Sequence, residues 1–175
     1  MRPNRSAMPL SIVLLPLDAR MAAALAVGNF AALQGHAVNA VDIADELCAV
    51  AEAHRGLYSR TGAEHPWIGY LAQNGRHVVG ACGFKDQCHD GSVEIAYVTF
   101  PAHQRRGYGT AMAASLLEIA LAHDEVREVL AHTLPTENAS TVILRRAGFA
   151  LAGQVRDPED GDVWRWCFTR TAGRA

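Results

Sequence analysis

The sequence predicts a single α/β domain in which helices flank one mixed β-sheet. Short β-branched runs alternate with segments whose apolar residues recur every three or four positions. Asn74-Gly75 and Asp160-Gly161 each lie between two such runs, which is typical of antiparallel hairpins. The chain has 175 residues, enough for one domain with a sizeable core, whereas two domains would each be small. The hairpins argue against a doubly wound nucleotide-binding fold, whose sheet is mostly parallel.

The predicted order of elements is β-α-α-β-β-β-α-β-α-β-β, with about six to seven strands and about four helices. Residues 1–9 are predicted to be a loose tail, and Asp18 is predicted to cap the first helix. The predicted strands are 11–15, 67–72, 77–84, 93–100, 129–133, 150–156 and 163–170. The predicted helices are 18–33, 41–58, 110–123 and 138–146.

The composition is that of a globular protein. Half of the residues are hydrophobic, 19% are charged and the net charge is −2, which opposes disorder and predicts neither nucleic-acid nor membrane binding. The four cysteines match no zinc or redox spacing, so we predict no metal, with reduced thiols in the cytoplasm as the default. They are Cys48, Cys82, Cys88 and Cys167. The apolar run from Leu10 to Leu17 contains Pro16 and predicts a buried strand in preference to an export signal.

One loop between a predicted strand and a predicted helix carries the chemistry. It reads Gln104-Arg105-Arg106-Gly107-Tyr108-Gly109-Thr110 and follows a strand that stops at Pro101. A helix N-terminus presents free N–H groups and the positive end of the helix dipole. Gly107 and Gly109 lack a Cβ atom, so a ligand can approach the backbone closely. With two arginines beside these groups, the loop predicts a compact diphosphate site.

Other phosphate-binding motifs do not fit this loop. A dinucleotide-binding motif needs a third glycine at the position of Met112. A P-loop needs a Gly-Lys-Ser or Gly-Lys-Thr triplet, which the chain does not contain. The remaining alternative is a glycine loop that serves tight packing alone. The Gln-Arg-Arg prefix and the strand–loop–helix context favour the binding site over that alternative.

Two segments together resemble a known family. VTFPAHQRRGYGTAMAASLLEIA (98–120) resembles the acetyl-CoA-binding motif of the GNAT superfamily, [QR]-x-x-G-x-[GA], with Gln104, Gly107 and Gly109 at its fixed positions. TLPTENASTVILRRAGF (133–149) resembles the second half of the same fold. The Asn-x-Ser start, the Gly-Phe end and the VEIAYV strand are similar to the ribosomal-protein acetyltransferase (RimJ/RimL-like) branch. The resemblance covers about residues 77–170, and more weakly the first 60.

The resemblance implies an acetyl-CoA-dependent N-acetyltransferase of GNAT-like fold that uses no metal. Backbone groups near Tyr97, Val98 and Thr99 would bind the pantetheine arm like an added strand. Residues 104–110 would hold the pyrophosphate, and Asn138 would meet the pantetheine or cysteamine region. The segment 10–60 would supply the first strand and the helices on the acceptor side, and 77–170 the acetyl-CoA-binding core.

The implied reaction is direct attack of a neutral primary amine on the thioester. An α-amine with a pKa of about 7.7–8.0 needs little help to lose its proton, whereas a lysine amine near 10.4 needs a strong base. Glu94 is the candidate base, with a glutamate that pairs with a neighbouring strand as the alternative. Ser140 is the candidate acid or thiol partner, with a helix-capping hydroxyl as the alternative. Many GNAT enzymes have a tyrosine acid where this chain has Arg145, for which we favour a solvated helix face.

The acceptor stays open at this stage. A protein N-terminus and a small amine both satisfy the pattern, and a homodimer remains one alternative for the oligomeric state. A hypothesis of another class is an acyl-CoA-binding GNAT-like module without turnover. His54 lies on the apolar face of the second helix and is predicted to be a buried, hydrogen-bonded histidine in preference to a ligand.

Overall fold

A computed structural model describes residues 10–33, 35–158 and 160–170 of the chain. The strands are β1 (Val13–Leu17), β2 (Gly69–Asn74), β3 (His77–Phe84), β4 (Ser92–Thr99), β5 (Glu128–Thr133), β6 (Ala150–Asp157) and β7 (Gly161–Thr169). The helices are α1 (Ala19–Ala26), α2 (Ala44–Thr61), α3 (Tyr108–Leu121) and α4 (Ala139–Arg146), with short 3₁₀ turns at Phe30–Leu33 and Pro101–His103. The predicted mixed α/β fold and its order of elements are confirmed.

The seven strands form one sheet in the order β1-β2-β3-β4-β5-β7-β6. Neighbouring strands are antiparallel except for β4 and β5, which run parallel. That parallel pairing joins Ser92–Glu94 to Glu128–Leu130 and ends there, whereas β4 stays paired with β3 as far as Thr99. The second half of β4 therefore leaves β5, and the sheet opens into a gap at its centre.

The helices cover both faces of the sheet. His54 of α2 lies over Gly69, and Met112 of α3 lies over Gly80. Gly69 pairs with Gly83, three residues from Gly80 on β3, so α2 and α3 pack on opposite faces. The Tyr58 hydroxyl donates to the Leu17 carbonyl (2.6 Å) and accepts from the Gly69 amide (2.8 Å), which fastens α2 to β1 and β2.

The predicted bounds of the first two helices were wrong at their ends. The first helix ends at Ala26, seven residues before Leu33, because Gly28 adopts a left-handed conformation (φ 74°) and turns the chain into the 3₁₀ segment. The second helix starts at Ala44 and continues to Thr61, where left-handed Gly62 caps it. β1 extends through Pro16 to Leu17, which an edge strand tolerates. The predicted tail 1–9 lies outside the described residues.

No helix in the described part of the chain combines the length and apolarity needed to cross a membrane. The same residues contain no cluster of three His, Cys, Asp or Glu side chains placed to hold a metal ion.

Candidate active site

The gap between β4 and β5 exposes backbone groups of β4. The Lys85 amide donates to the Glu94 carbonyl (2.9 Å), and the Phe100 amide donates to the Val79 carbonyl (3.0 Å), so even-numbered residues of β4 direct their peptide groups towards β3. Strand alternation then directs those of Tyr97 and Thr99 into the gap. An extended ligand with amide groups can pair with such an edge as an added strand.

The three predicted β4 residues therefore differ in placement. Tyr97 and Thr99 face the gap, whereas Val98 pairs with Ala81 of β3. The Val98 side chain is 49% exposed on the face opposite α3. The peptide group of Val98 points towards β3 and does not face the gap.

Tyr97 also closes one end of the gap. Its hydroxyl donates to the carbonyl oxygen of Ser140 at the start of α4 (3.5 Å). Burial raises the pKa of Tyr97 to about 12, so the phenol stays protonated and keeps this donor role. α3 and α4 also meet here, because a Cβ on Gly109 would lie 2.9 Å from Ile143 Cδ1. The N-termini of both helices thus converge on the gap.

The predicted pyrophosphate loop leads into α3 through a left-handed glycine. Gly107 (φ 89°) precedes the helix, no side chain caps it, and the first intrahelical bond runs from Ala111 N to Gly107 O (3.1 Å). The amides of Tyr108, Gly109 and Thr110 precede that bond and form the positive end of the helix.

The side chains of the loop fit the same interpretation. Arg105 and Arg106 are exposed, and neither forms an ion pair with any residue that the structure describes. Gln104 donates from Nε2 to the Thr99 carbonyl (3.3 Å), which anchors the loop to the end of β4. Two arginines that have no ion-pair partner among the described residues, next to uncapped amides, suit a doubly charged anion.

Two predicted site residues, Asn138 and Ser140, lie at the start of α4 and differ in their hydrogen bonds. Asn138 is the N-cap: its Oδ1 accepts from the amides of Ser140 (2.8 Å) and Thr141 (3.1 Å), and its Nδ2 donates to Thr136 O (3.1 Å). The Thr141 hydroxyl accepts from the Asn138 amide (3.1 Å) and completes a capping box. The Ser140 hydroxyl makes no hydrogen bond to any described residue. Asn138 thus fixes the helix start, and the Ser140 carbonyl accepts from Tyr97 beside the gap.

Arg145 occupies an exposed surface pair. Its guanidinium donates to both carboxylate oxygens of Glu137 and lies 5.2 Å from the centre of the Trp166 ring. The hydrogen bonds from Arg145 lower the pKa of Glu137 to about 2. This position agrees with the solvated helix face expected for Arg145 and leaves it no role as an acid.

Glu94 lies on the other face of the sheet, where it binds two side chains. Its Oε1 accepts from His132 Nδ1 of β5 (3.0 Å) and from Nζ of Lys85, which directly follows β3 (3.3 Å). The side chains of Glu94 and His132 are only 24% and 17% exposed. Partial burial alone would lower the pKa of Lys85, but the charge and hydrogen bond of Glu94, together with the charges of Asp157 and Asp160, outweigh burial and raise it. The pairing of Glu94 with neighbouring strands is therefore present.

His132 was missing from the sequence-based site. The parallel register pairs Glu94 with Leu130, so His132 lies one step further on the same face, where β4 and β5 begin to separate. Side chains alternate along β5, so His132 and Leu130 share one face of the strand. The pairing register of β5 with β4, which brings that face to Glu94, cannot be deduced from the sequence.

A cleft of about 520 Å³ opens beside this cluster, between α2 and the β3–β4 part of the sheet. Its apolar side chains are Val50, Ala53, Leu57, Ala81, Ala96 and Val98. His54 also lines the cleft, and its Nδ1 donates to the Val50 carbonyl (2.8 Å), in keeping with its predicted hydrogen-bonded state. Burial lowers the pKa of His54 and favours the neutral ring.

The family follows from a comparison of the sequence with known protein families. A family model described as an acetyltransferase (GNAT) domain matches residues 16–150. This chain belongs to the GNAT acetyltransferase family. The predicted superfamily and the predicted N-acetyltransferase class are thereby confirmed. A search of curated proteins finds no match.

Solved structures of several acetyltransferases share this GNAT fold. RimL, a ribosomal alpha-N-protein acetyltransferase in complex with coenzyme A, matches with 18% identity over 93% of this chain and 97% of that chain (TM-score 0.62). The aminoglycoside acetyltransferase AAC(6')-Ib in complex with ribostamycin and coenzyme A matches with 18% identity over 91% of this chain and 94% of that chain (TM-score 0.65). The microcin self-immunity acetyltransferase MccE in complex with acetyl-CoA and AMP matches with 15% identity over 91% and 92% (TM-score 0.62). At these identities, the matches show the fold.

In this GNAT domain, the predicted residues fall into two groups on opposite faces of the sheet. The donor-side group comprises the loop 104–110, the gap-facing backbone of β4 and the start of α4. Glu94 lies on the opposite face, together with His132 and the cleft. Both groups include residues of β4, which borders the gap, so the gap lies between the two groups.

Proposed function

We propose that this GNAT enzyme transfers the acetyl group of acetyl-CoA to a primary amine at the gap between β4 and β5. The observation that carries the proposal is the separation of β4 from β5 after Glu94, directly before the loop 104–110 at the end of the same strand. The uncapped amides of α3 with Arg105 and Arg106 would hold the pyrophosphate. The peptide groups of Tyr97 and Thr99 would pair with the pantetheine amides.

The chemistry is a direct transfer. The amine nitrogen attacks the thioester carbonyl carbon, the new C–N bond forms, the C–S bond breaks, and coenzyme A leaves as a thiolate. A gap-facing amide of β4 is placed to donate to the carbonyl oxygen as negative charge develops on it. The thiolate takes up a proton from solvent, and the Ser140 hydroxyl is the candidate group that donates a hydrogen bond to it. That hydroxyl makes no hydrogen bond to any described residue, and the Ser140 carbonyl at the start of α4 accepts from Tyr97.

The proton of the amine goes to His132. One oxygen of Glu94 already accepts from Lys85 and His132, so Glu94 is placed to orient a base in preference to acting as one. When His132 is neutral and donates from Nδ1 to Glu94, its Nε2 carries the lone pair that a general base needs. Glu94 is then a positioning residue. This arrangement suits an α-amine, whose deprotonation at pH 7 needs only about 1 kcal/mol.

The acceptor is a protein N-terminus or a small amine. We place the enzyme in the cytoplasm, because Cys48, Cys82, Cys88 and Cys167 are all free thiols in the structure and a reducing compartment keeps them so.

A turnover screen tests the proposal. Purified protein is mixed with acetyl-CoA and a panel of N-terminal peptides, amino-acid amides, polyamines and aminoglycosides, and thiol release is recorded. We expect saturable release with at least one amine, and calorimetry should show acetyl-CoA binding without any acceptor. Binding without turnover across the whole panel would contradict acetyl transfer, whereas absence of binding would contradict the donor site.

A further inference from the structure

The cleft leads to the proposed proton acceptor. Ala96 and Val98, which line it, follow Glu94 on the same face of β4, and Lys85, which binds Glu94, also lines it. A molecule in the cleft thus lies beside Lys85, a direct partner of Glu94, on the face opposite α3. The cleft is therefore the acceptor side of the proposed reaction, and its chemistry selects the amine.

The charges around the cleft are unsuited to a polycation. Glu52 is the one acidic side chain lining it among the described residues, and its side chain is 66% exposed and paired with Arg55 (2.7 Å). The carboxylate of Glu94, which binds Lys85 of the lining, is already paired with Lys85 and His132. Lys85 is a paired cation of the lining. A polyamine or an aminoglycoside would therefore bring several ammonium groups to a lining whose one carboxylate, that of Glu52, is already paired.

The remaining lining is apolar. Six of the side chains are aliphatic, and they come from both walls, α2 and the sheet. Such a surface gains free energy by excluding water from an apolar group of the acceptor. Because attack requires a neutral amine, an apolar cleft also favours the reactive form over the ammonium ion.

We infer that the acceptor is a compound with a single α-amine whose neighbouring side group is apolar, and that polycationic amines are excluded. This inference depends on the proposed function, since it assigns the cleft to the acceptor. The side group would lie between Val50, Ala53 and Leu57 of α2 and Ala81 and Ala96 of the sheet, with the amine directed towards His132.

Four acceptors test the inference with acetyl-CoA: leucinamide, glycinamide, spermidine and kanamycin. Leucinamide and glycinamide share the α-amine and differ in the side group, so their ratio of kcat/KM measures the apolar contact. Burial of one leucine-sized side chain predicts a ratio of about tenfold to hundredfold in favour of leucinamide. Spermidine and kanamycin should react more slowly than glycinamide.

A matched pair of variants tests the charge argument. Ala53→Asp places a carboxylate in the cleft, whereas Ser59→Asp adds the same charge on α2 outside it. Ala53→Asp should reduce kcat/KM for leucinamide at least about tenfold and raise it for spermidine. Ser59→Asp should leave both unchanged. Calorimetric binding of acetyl-CoA confirms that each variant is folded.

The outcomes separate the inference from the proposed function. Equal rates for leucinamide and glycinamide, a preference for spermidine, or the same effect of both substitutions would overturn the inference while acetyl transfer stands. No turnover with any amine of the larger panel, despite acetyl-CoA binding, would refute acetyl transfer at this gap and the inference with it.

Discussion

One carboxylate oxygen of Glu94 holds both His132 and Lys85, and this arrangement predicts how two substitutions combine. If Glu94 acts by orienting His132, Glu94→Gln removes an effect that exists only while His132 is present. The double variant Glu94→Gln/His132→Gln should then be about as slow as His132→Gln alone. If the two residues act independently, their losses should multiply.

The size of each loss follows from the contacts. Loss of a general base reduces the rate by about 10²–10⁴-fold, and the low end applies to an α-amine because so little free energy is needed for its deprotonation. A hydrogen bond to a charged group, such as the 3.0 Å contact between Glu94 and His132, contributes about 1.5–3 kcal/mol, or roughly tenfold to 150-fold. Independent action would thus make the double variant at least about tenfold slower than His132→Gln.

The assay is kcat/KM for the best amine of the panel, read as thiol release at saturating acetyl-CoA. Glu94→Gln leaves the Lys85 ammonium without its carboxylate, so Glu94→Gln/Lys85→Met serves as the control for that charge. Calorimetry of acetyl-CoA binding verifies the donor site of every variant. Multiplied losses, or a His132→Gln variant within about threefold of wild type, would refute a base at His132 and return that role to Glu94.

Three further perturbations give distinct results. Ser140→Ala should lower kcat about tenfold with little change in stability. Asn138→Ala should instead lower the free energy of unfolding by about 1 kcal/mol through loss of the cap. Equal decreases in melting temperature for the two variants would contradict the different roles of Ser140 and Asn138. Gly107→Val should abolish acetyl-CoA binding in calorimetry, whereas Gly28→Val, at another left-handed glycine with open space around it, should share the backbone strain and still bind. Burial lowers the pKa of His54, so the unfolded chain binds the proton first and wild-type stability should fall as the pH drops below about 6.5. His54→Gln should flatten that fall in melting temperatures between pH 7 and pH 5, and parallel curves would exclude His54 as its source.

The conformation of the proposed donor side was predictable because its signals are local. The loop 104–110 carries its glycines and arginines within seven consecutive residues, and the strand before it and helix after it are each visible as a periodicity. The hairpins at Asn74-Gly75 and Asp160-Gly161 are equally local. For such segments, the conformation depends on a few neighbouring residues, so a pattern in the sequence is sufficient to predict it.

The ends of helices were harder to predict, because several neighbouring residues can begin or end a helix. Asn and Ser have nearly equal preference for a helix N-cap, so the sequence could not decide whether Asn138 or Ser140 caps α4. The structure resolves this through the Thr141 hydroxyl, which completes a capping box with Asn138. Likewise, the alanine-rich stretch after Asp18 predicts a long helix, but Gly28 in its left-handed conformation ends the helix early.

The cluster of Lys85, Glu94 and His132 was beyond prediction because it is assembled by strand register. Glu94 and His132 lie on β4 and β5, and Lys85 directly follows β3. Their contacts require both the antiparallel register of β3 with β4 and the parallel register of β4 with β5. A shift of one residue in either strand would turn its side chain to the opposite face. The composition of the three strands would be unchanged by such a shift.

Lys85 connects the two proposals about the acceptor side. It is the only lysine of the chain, it shares Oε1 of Glu94 with His132, and it lines the cleft. Lys85→Met should therefore change two quantities at once. With one donor removed from Glu94, the coupling between Glu94 and His132 in the double-mutant cycle should increase. With one positive charge removed from the cleft, the kcat/KM ratio of leucinamide to spermidine should fall. Because Ala53→Asp changes the second quantity without touching Glu94, a Lys85→Met variant that alters only that ratio would show that Lys85 acts on the acceptor alone.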